Sequence, residues 1–206
     1  METRPAPALV HIVDDQPAMR KMVAELVESV SLHPRTYASA REFLDGYRPR
    51  ERECVVSDVR MPEVGGLEFL RLMRARGFVA PVIFITGYAE VGTAVEAMKA
   101  GASDYIEKPF VHQSFLDKVQ RALAESELLY IREIQRRATE ARLALLTPTE
   151  TKILRLVAEG KSSREIGGLL KISSRTVDNH RGRMMEKLHV NSVVELVLIW
   201  AGARPP

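Results

Sequence analysis

Three carboxylates in this sequence stand at the ends of short apolar runs. Asp14 and Asp15 follow the run 8–13, and Asp58 ends the run that begins at Cys54. Runs of this kind suit strands covered on both faces in a parallel sheet, and open α/β sheets bind ligands at the carboxyl ends of their strands. Each carboxylate alone would equally suit a strand end, a turn or a helix cap. Their joint placement is what indicates a site.

Two later runs add a hydroxyl and a cation to the same predicted edge. Thr86 ends the run 81–86, and Lys108 ends the run 104–108. Three crowded carboxylates repel one another unless a cation is present, and Mg²⁺ is the hard cation that combines a few carboxylate oxygens with water. A carboxylate nucleophile, a metal, a lysine and a hydroxyl together are the equipment for handling a phosphoryl group.

The elements that must position these groups alternate between strands and helices. We expect strands at 8–13, 35–37, 54–58, 81–86 and 104–108, with a polar loop at 49–53. Helices are predicted to begin at Pro17, at the Ser39/Glu42 capping box, after Gly65-Gly66 and near Val91. This alternation predicts a doubly wound parallel sheet.

A long stretch without glycine or proline, 111–142, follows the last strand. We expect one helix whose first half packs on the sheet. Its second half is either a solvated connector or a weak dimer seam. A stable coiled coil is not expected, because a heptad pattern places the polar residues Gln135 and Arg142 at core positions.

Four short helices without strands are predicted from about Leu143 onward. Thr147-Pro-Thr-Glu150 and Ser162-Ser-Arg-Glu165 are capping boxes that open the first two. On the third, residues 174–188, the polar face carries Asp178, Asn179, Gly182, Arg183 and Glu186, and a glycine there would let a partner approach the backbone. Two helices joined by a tight turn indicate a helix-turn-helix, although a small bundle with a solvated polar face has the same pattern.

Composition limits the remaining classes of protein. The 206 residues include one cysteine, which excludes a disulfide framework and fits a reducing cytoplasm, and no zinc-type Cys/His spacing occurs. We find no apolar stretch long enough for a membrane span and no signal-peptide pattern at the start. Residues 1–119 hold 15 Lys+Arg against 17 Asp+Glu, whereas 120–206 hold 15 against 10, so the second part favours a polyanionic partner.

The first part of the chain resembles the receiver domain of two-component response regulators over about residues 8–124. The motifs that carry the resemblance are Asp14-Asp15, Asp58-Val-Arg-Met-Pro62, Thr86-Gly87 and Lys108-Pro109-Phe110. The resemblance implies that a histidine kinase phosphorylates Asp58 and that Lys108 forms an ion pair with the phosphoryl group, with the Lys108–Pro109 bond cis.

The same resemblance implies roles for the neighbouring residues. Thr86 would turn inward to bond the phosphoryl group, and Tyr105 would change rotamer with it. The implied Mg²⁺ ligands are Asp15, Asp58, the backbone carbonyl of Arg60 and, through water, Asp14. We also hypothesise that bulky Arg60 and Tyr88, each two residues beyond a site residue, screen the aspartyl phosphate from water.

The second part resembles the LuxR/FixJ/NarL type of DNA-binding domain over about residues 143–204. The resemblance is carried by the segments 146–162, 172–181 and 185–188. It implies that 174–188 enter the major groove, with bases facing Asp178, Asn179 and Gly182 and phosphates facing Arg175, Thr176, Arg181, Arg183 and Lys187. The chain departs from the family at Lys171, where Gly is usual, and at Gly167-Gly168, where the family prefers Ala and a charged residue.

Together these observations predict a FixJ-like response regulator. We expect a flavodoxin-like five-stranded receiver (8–124), a helical linker (125–142) and an all-α helix-turn-helix domain (143–206). Phosphorylation of Asp58 would control DNA binding through a homodimer formed by residues 91–107 or through release of the helical domain. The expected partners are a histidine kinase, promoter DNA and RNA polymerase, with Mg²⁺ as cofactor and no membrane.

Two alternatives belong to other functional classes. An Asp nucleophile with Mg²⁺ also serves phosphatases, but no second domain supplies a substrate pocket or a general acid, so we expect at most slow autodephosphorylation. Alternatively, the helical domain would bind protein rather than DNA, and the departures at Lys171 and Gly182 leave room for that reading.

Overall fold

The computed structural model describes residues 7–87 and 91–202. Contacts divide the chain into two units, Met1–Ile131 and Arg132–Pro206. The boundary falls inside the long helix that follows the last strand, rather than at its end.

Unit 1 is built on five parallel strands. They are β1 (Leu9–Val13), β2 (His33–Tyr37), β3 (Glu53–Asp58), β4 (Val82–Thr86) and β5 (Asp104–Glu107). Their order across the sheet is β2-β1-β3-β4-β5, and every neighbouring pair is parallel. This is the flavodoxin-like, doubly wound order, so the predicted fold class is confirmed.

Helices cover both faces of this sheet. They are α1 (Pro17–Glu28), α2 (Ala40–Gly46), α3 (Gly66–Ala75), α4 (Val91–Lys99) and α5 (His112–Leu143). Alternate strand residues face opposite sides, so Val56 packs with α1 and the first half of α5, whereas Val55 packs with α2, α3 and α4. Full burial of the central strands explains why they read as continuous apolar runs.

Two elements differ from the sequence-based expectation. Strand β2 begins at His33 and includes Pro34, which is tolerated because β2 is an edge strand. Strand β3 begins at Glu53, which we predicted to end a loop. The Glu53 side chain is 2% exposed and accepts hydrogen bonds from His11 Nε2 (3.0 Å), the Tyr47 hydroxyl and the Arg50 amide (2.9 Å). These donors allow a carboxylate to be buried.

Unit 2 contains the four predicted helices α6 (Pro148–Ala158), α7 (Ser163–Leu170), α8 (Ser174–Lys187) and α9 (Val193–Gly202). Both predicted capping boxes form, at Thr147/Glu150 and at Ser162/Glu165. The helices share one apolar core, whose fully buried members include Ile153, Leu154, Ile166, Val177, Met184, Leu188 and Leu196.

The turn between α7 and α8 contains Lys171 and lies against Gly167, two of the residues at which the sequence is unusual. Lys171 adopts the left-handed conformation (φ 57°, ψ 41°) that favours glycine, the residue more usual there. A Cβ on Gly167 would lie 2.7 Å from the Ile172 carbonyl oxygen. Gly167 therefore permits the tight approach of the turn to α7.

No helix within the described parts of the chain has the length and apolar character needed to cross a membrane.

Candidate functional site

The register of the sheet brings the predicted site residues to one edge. Val13 is paired with Ser57 and Asp58 with Ile85. Asp14 directly follows β1, and Asp58 and Thr86 end the adjacent strands β3 and β4. The Lys108 amide donates to the Thr86 carbonyl at 2.7 Å, which places Lys108 beside them.

Lys108 contacts two of the carboxylates directly. Its Nζ lies 2.8 Å from Asp58 Oδ1 and 3.4 Å from Asp14 Oδ2, and all three side chains are largely buried. The other carboxylate oxygen of Asp58 accepts the Arg60 amide at 2.8 Å. The Lys108–Pro109 peptide bond is cis, as expected. Charge-assisted bonds at this degree of burial hold the Asp58 carboxylate in one orientation.

Asp14 is the most buried acid at this edge, at 3% exposure. Burial raises the pKa of its carboxyl above the ordinary 3.8, and the negative charge of Asp58 raises it further, while the Gln16 amide and Lys108 act in the opposite direction. The Arg20 guanidinium donates to the Asp14 carbonyl oxygen at 2.7 Å. The predicted crowding of carboxylates is therefore present at this position.

The donor set fits a hard cation. Asp15 is partly buried, and its Oδ1 is shielded from solvent without a hydrogen-bond partner among the described residues. No group of three or more His, Cys, Asp or Glu side chains within residues 7–87 and 91–202 lies close enough to hold a metal unaided. Mg²⁺ retains several waters and takes only one or two carboxylates, so Asp15, Asp58 and the Arg60 carbonyl suffice chemically.

The two predicted switch residues differ in their surroundings. Thr86 is 2% exposed at the end of β4. Tyr105 in β5 packs against the core on the α2–α4 side, and its buried hydroxyl has no hydrogen-bond partner among the described residues. Tyr88, which we expected to screen the site, lies outside the described residues, and the Arg60 side chain is exposed.

Sequence reasoning missed a close backbone approach beneath Asp58. A Cβ on Gly66, the first residue of α3, would lie 2.6 Å from the Asp58 carbonyl oxygen and 2.8 Å from the Phe84 ring. The Gly65-Gly66 pair was the available signal, but we assigned it only to the start of a helix.

In unit 2, helix α8 presents the predicted polar face. Arg175, Asp178, Asn179, Gly182 and Arg183 are exposed, whereas Val177 and Met184 on the opposite side are buried. A Cβ on Gly182 would meet nothing within 4 Å. This face is therefore open to close approach by a large partner.

Three of the residues predicted to contact phosphates already have partners within the protein. Lys187 Nζ donates to Glu150 Oε2 at 2.7 Å, and the Thr176 hydroxyl lies 2.8 Å from the Ser173 hydroxyl. Arg181 is partly buried and donates to the Ser163 hydroxyl at 2.8 Å. Lys187 would have to release Glu150 before it could reach a phosphate.

Comparison with known proteins covers both units. Residues 10–120 match the family of response regulator receiver domains, and residues 144–200 match the luxR family of bacterial regulatory proteins. The chain is 39% identical to the transcriptional regulatory protein FixJ of Azorhizobium caulinodans, over 95% of this chain and 94% of that protein. It is also 39% identical to the transcriptional regulatory protein TdiR of Thauera aromatica, over 91% and 83% respectively.

A solved structure of the response regulator StyR is similar to this chain. The TM-score is 0.65 at 32% sequence identity, with 95% of this chain and 99% of StyR covered. Two family matches and relatives that span nearly the full length place the chain without ambiguity. It belongs to the two-component response regulators, in which a receiver domain is joined to a LuxR-type DNA-binding domain to regulate transcription.

Proposed function

We propose that Asp58 accepts a phosphoryl group from the phosphohistidine of a sensor kinase. The observation that carries this is the Lys108 ammonium, 2.8 Å from Asp58 Oδ1 and 3.4 Å from Asp14 Oδ2 at the carboxyl edge of the sheet. A carboxylate held in one orientation by a buried cation is prepared for attack on phosphorus.

In the proposed transfer, a carboxylate oxygen of Asp58 forms the new P–O bond as the P–N bond to the kinase imidazole breaks. The leaving imidazole takes up a proton. Lys108 then pairs with the phosphoryl oxygens, and Thr86 donates its hydroxyl to one of them. The site gains negative charge, which is why a positive group must already be in place.

Asp15, Asp58 and the Arg60 carbonyl would hold Mg²⁺, with Asp14 assisting through water. When bound, the ion supplies positive charge that offsets the phosphoryl oxygens and the crowded carboxylates. The unpartnered Asp15 Oδ1 and the raised pKa of Asp14 support this assignment, because both are relieved by a nearby cation.

Phosphorylation would then change the surface formed by residues 91–107. Val91, Val95 and Met98 on α4 are 80%, 46% and 49% exposed, which is unusual for three apolar side chains on one short helix. Movement of Thr86 and Tyr105 would reshape this surface, and a second copy of the chain would cover it. Release of the helical domain from the receiver is the other route to the same output.

The output is binding to promoter DNA through α8. Asp178, Asn179 and Gly182 would face bases, and Arg175 and Arg183 would contact phosphates, with Thr176, Arg181 and Lys187 contributing where their internal partners allow. Action on bacterial promoters places the protein in the cytoplasm and implies contact with RNA polymerase. Loss of the phosphoryl group by slow autodephosphorylation would reset the site.

Sedimentation of the full chain with and without BeF₃⁻ and Mg²⁺ tests the proposal. BeF₃⁻ stands in for the phosphoryl group on Asp58. We expect the wild type to shift from monomer to dimer and Asp58→Ala to remain unchanged. A shift in Asp58→Ala as well would show that Asp58 is not the acceptor.

A matched pair of variants tests the surface. Val95→Glu places a charge within the proposed dimer surface, whereas Val111→Glu changes an apolar residue that is 71% exposed outside it. We expect only Val95→Glu to prevent the shift. If neither prevents it, the dimer forms elsewhere.

A further inference from the structure

Ser163, the first residue of α7, connects two side chains of α8. Its hydroxyl donates to Asp178 Oδ1 at 2.6 Å and accepts from Arg181 Nη1 at 2.8 Å. Arg181 Nη1 lies 3.8 Å from the same Asp178 oxygen. A guanidinium, a hydroxyl and a carboxylate thus form a chain of hydrogen bonds in which each donor strengthens the next.

This chain fixes a side chain that would otherwise be mobile. The Asp178 side chain is 60% exposed on the polar face of α8. Oδ1 is occupied by Ser163, and Oδ2 has no partner among the described residues. Asp178 therefore presents one oriented acceptor oxygen at the surface that faces DNA.

The chain also balances charge at that surface. An isolated carboxylate close to DNA is repelled by the phosphates. The Arg181 side chain is only 25% exposed and is directed to Ser163 and Asp178. Its positive charge offsets that of Asp178, which is a different role from the phosphate contact predicted from the sequence.

Resting on the DNA binding proposed above, we propose that Ser163 and Arg181 are positioning residues that make Asp178 a specific reader of one base. In the major groove an acceptor oxygen pairs with the amino group of cytosine or adenine. It is repelled by the carbonyl oxygen of guanine or thymine. Ser163 contacts no base itself and acts through the orientation of Asp178.

Site selection with the full chain, BeF₃⁻ and Mg²⁺ provides the test. Bound duplexes are enriched from a randomised library, and the affinity of each variant is then measured for the selected duplex and its single-base-pair substitutions. The position at which Asp178→Asn loses discrimination is the one that Asp178 reads. At that position we expect the wild type to prefer cytosine or adenine over guanine or thymine by about tenfold or more.

Ser163→Ala and Arg181→Ala should each reduce this preference to about threefold or less, by the usual scale of a lost base contact. Ser163→Thr keeps the hydroxyl and should therefore show the same base preference as the wild type. Ser163→Ala should leave the dependence of affinity on salt unchanged. Arg183→Ala, which removes an exposed cation from the same helix, should reduce the salt slope by about one and keep the preference.

The outcomes separate the two proposals. If no duplex is bound in a salt-dependent manner, the proposed DNA binding fails and this inference fails with it. If DNA binds but Asp178→Asn alters no position, or Ser163→Ala keeps the full preference, DNA binding stands and the role of Ser163 is overturned.

Discussion

Lys108 serves two carboxylates from different strands with one ammonium group. In the unphosphorylated site it bonds Asp58 and lies 3.4 Å from Asp14, where it opposes the repulsion between them. In the proposed phosphorylated site the same cation pairs with the phosphoryl oxygens. Because its position is fixed by the backbone bond from residue 108 to Thr86, Lys108 needs little reorganisation between the two states.

Glu150 illustrates a different use of a buried carboxylate. It is 3% exposed, and its Oε2 accepts from Lys187 Nζ at 2.7 Å, the Thr147 amide at 2.8 Å and the Thr147 hydroxyl at 2.9 Å. Burial by itself raises the pKa of this carboxyl, but the bonds from Lys187 and Thr147 prevail and lower it below the ordinary 4.5. Glu150 thereby joins the start of α6 to the end of α8.

The lowered pKa gives a pH dependence with a defined sign. A carboxylate whose pKa is depressed in the folded state stabilises the fold above its unfolded pKa, and this stabilisation is lost as pH falls through the folded value. We predict that Glu150→Gln lowers the free energy of unfolding of the helical domain by about 1–2 kcal/mol at pH 7. The deficit should shrink as the pH falls below 4.5, the ordinary pKa of a glutamate side chain.

Urea unfolding of the full chain measures this effect, because Trp200 is the only tryptophan and lies in the helical domain. Glu159→Gln is the matched control, since Glu159 is the exposed C-cap residue that follows α6, and its carboxylate lies 3.9 Å from the Arg155 guanidinium. It should change stability by less than about 0.5 kcal/mol. A deficit for Glu150→Gln that is constant or grows on acidification contradicts the argument.

At the scale of elements, the turn of the helix-turn-helix follows two adjacent glycines in α7 that have different surroundings. A Cβ on Gly167 would lie 2.7 Å from the Ile172 carbonyl oxygen and 3.3 Å from the Ser174 amide nitrogen, both rigid backbone atoms. A Cβ on Gly168 would meet nothing within 4 Å. The same substitution, glycine to alanine, can be made at both positions of one helix. A difference between the two variants in stability therefore reports packing rather than helix propensity.

We predict opposite effects for alanine at these two positions. Gly168→Ala should stabilise the helical domain by about 0.5–1 kcal/mol through helix propensity. Gly167→Ala should destabilise it by about 1–3 kcal/mol, because the turn must move away from α7. Trp200 fluorescence during urea unfolding measures both, and effects of the same sign would refute the packing argument.

How far the elements were predictable depends on their surroundings. Strands β1, β3 and β4 were placed to within one residue at either end, because central strands buried on both faces leave continuous apolar runs. Strand β2 has an exposed edge and contains Pro34, so its pattern was weak. Glu53 was assigned to a loop because a charged residue is normally exposed. Its burial depends on hydrogen bonds from His11 and Tyr47, and the sequence does not show that these side chains meet Glu53.

The sequence allowed us to predict which side chains form the candidate site, but not the contacts that backbone atoms make there. Asp14, Asp58, Thr86 and Lys108 follow apolar runs, and parallel topology then brings them to one edge. Contacts made by backbone atoms leave no such signature. The Arg60 amide on Asp58 is one example, and the approach of Gly66 to the Asp58 carbonyl is another. Neither depends on a side-chain type that the sequence displays.

At the scale of the whole molecule, the charge is divided between receiver and effector. Residues 120–206 carry 15 Lys+Arg against 10 Asp+Glu, whereas residues 1–119 carry 15 against 17. The excess of positive charge in residues 120–206 is modest, and Lys187 in this part of the chain is engaged by Glu150. A single copy should therefore bind DNA weakly, and affinity should depend on bringing two copies together.

The dependence of DNA affinity on the number of half-sites distinguishes the two mechanisms proposed for control by phosphorylation. If the receiver acts by dimerisation, BeF₃⁻ with Mg²⁺ raises affinity for a duplex carrying two half-sites by about 10²-fold or more, through effective concentration, and barely affects a duplex with one half-site. If it acts by releasing the helical domain, affinity for both duplexes rises by the same factor, because each copy gains independently.

We predict the first result, because α4 exposes Val91, Val95 and Met98 on a surface that a second copy can cover. Titrations of the full chain on one-site and two-site duplexes, with the half-site taken from selection, measure the two factors directly. Val95→Glu supplies the decisive comparison. It should remove the gain on two half-sites and leave one-site affinity at the wild-type value, whereas equal gains on both duplexes in this variant would assign control to domain release.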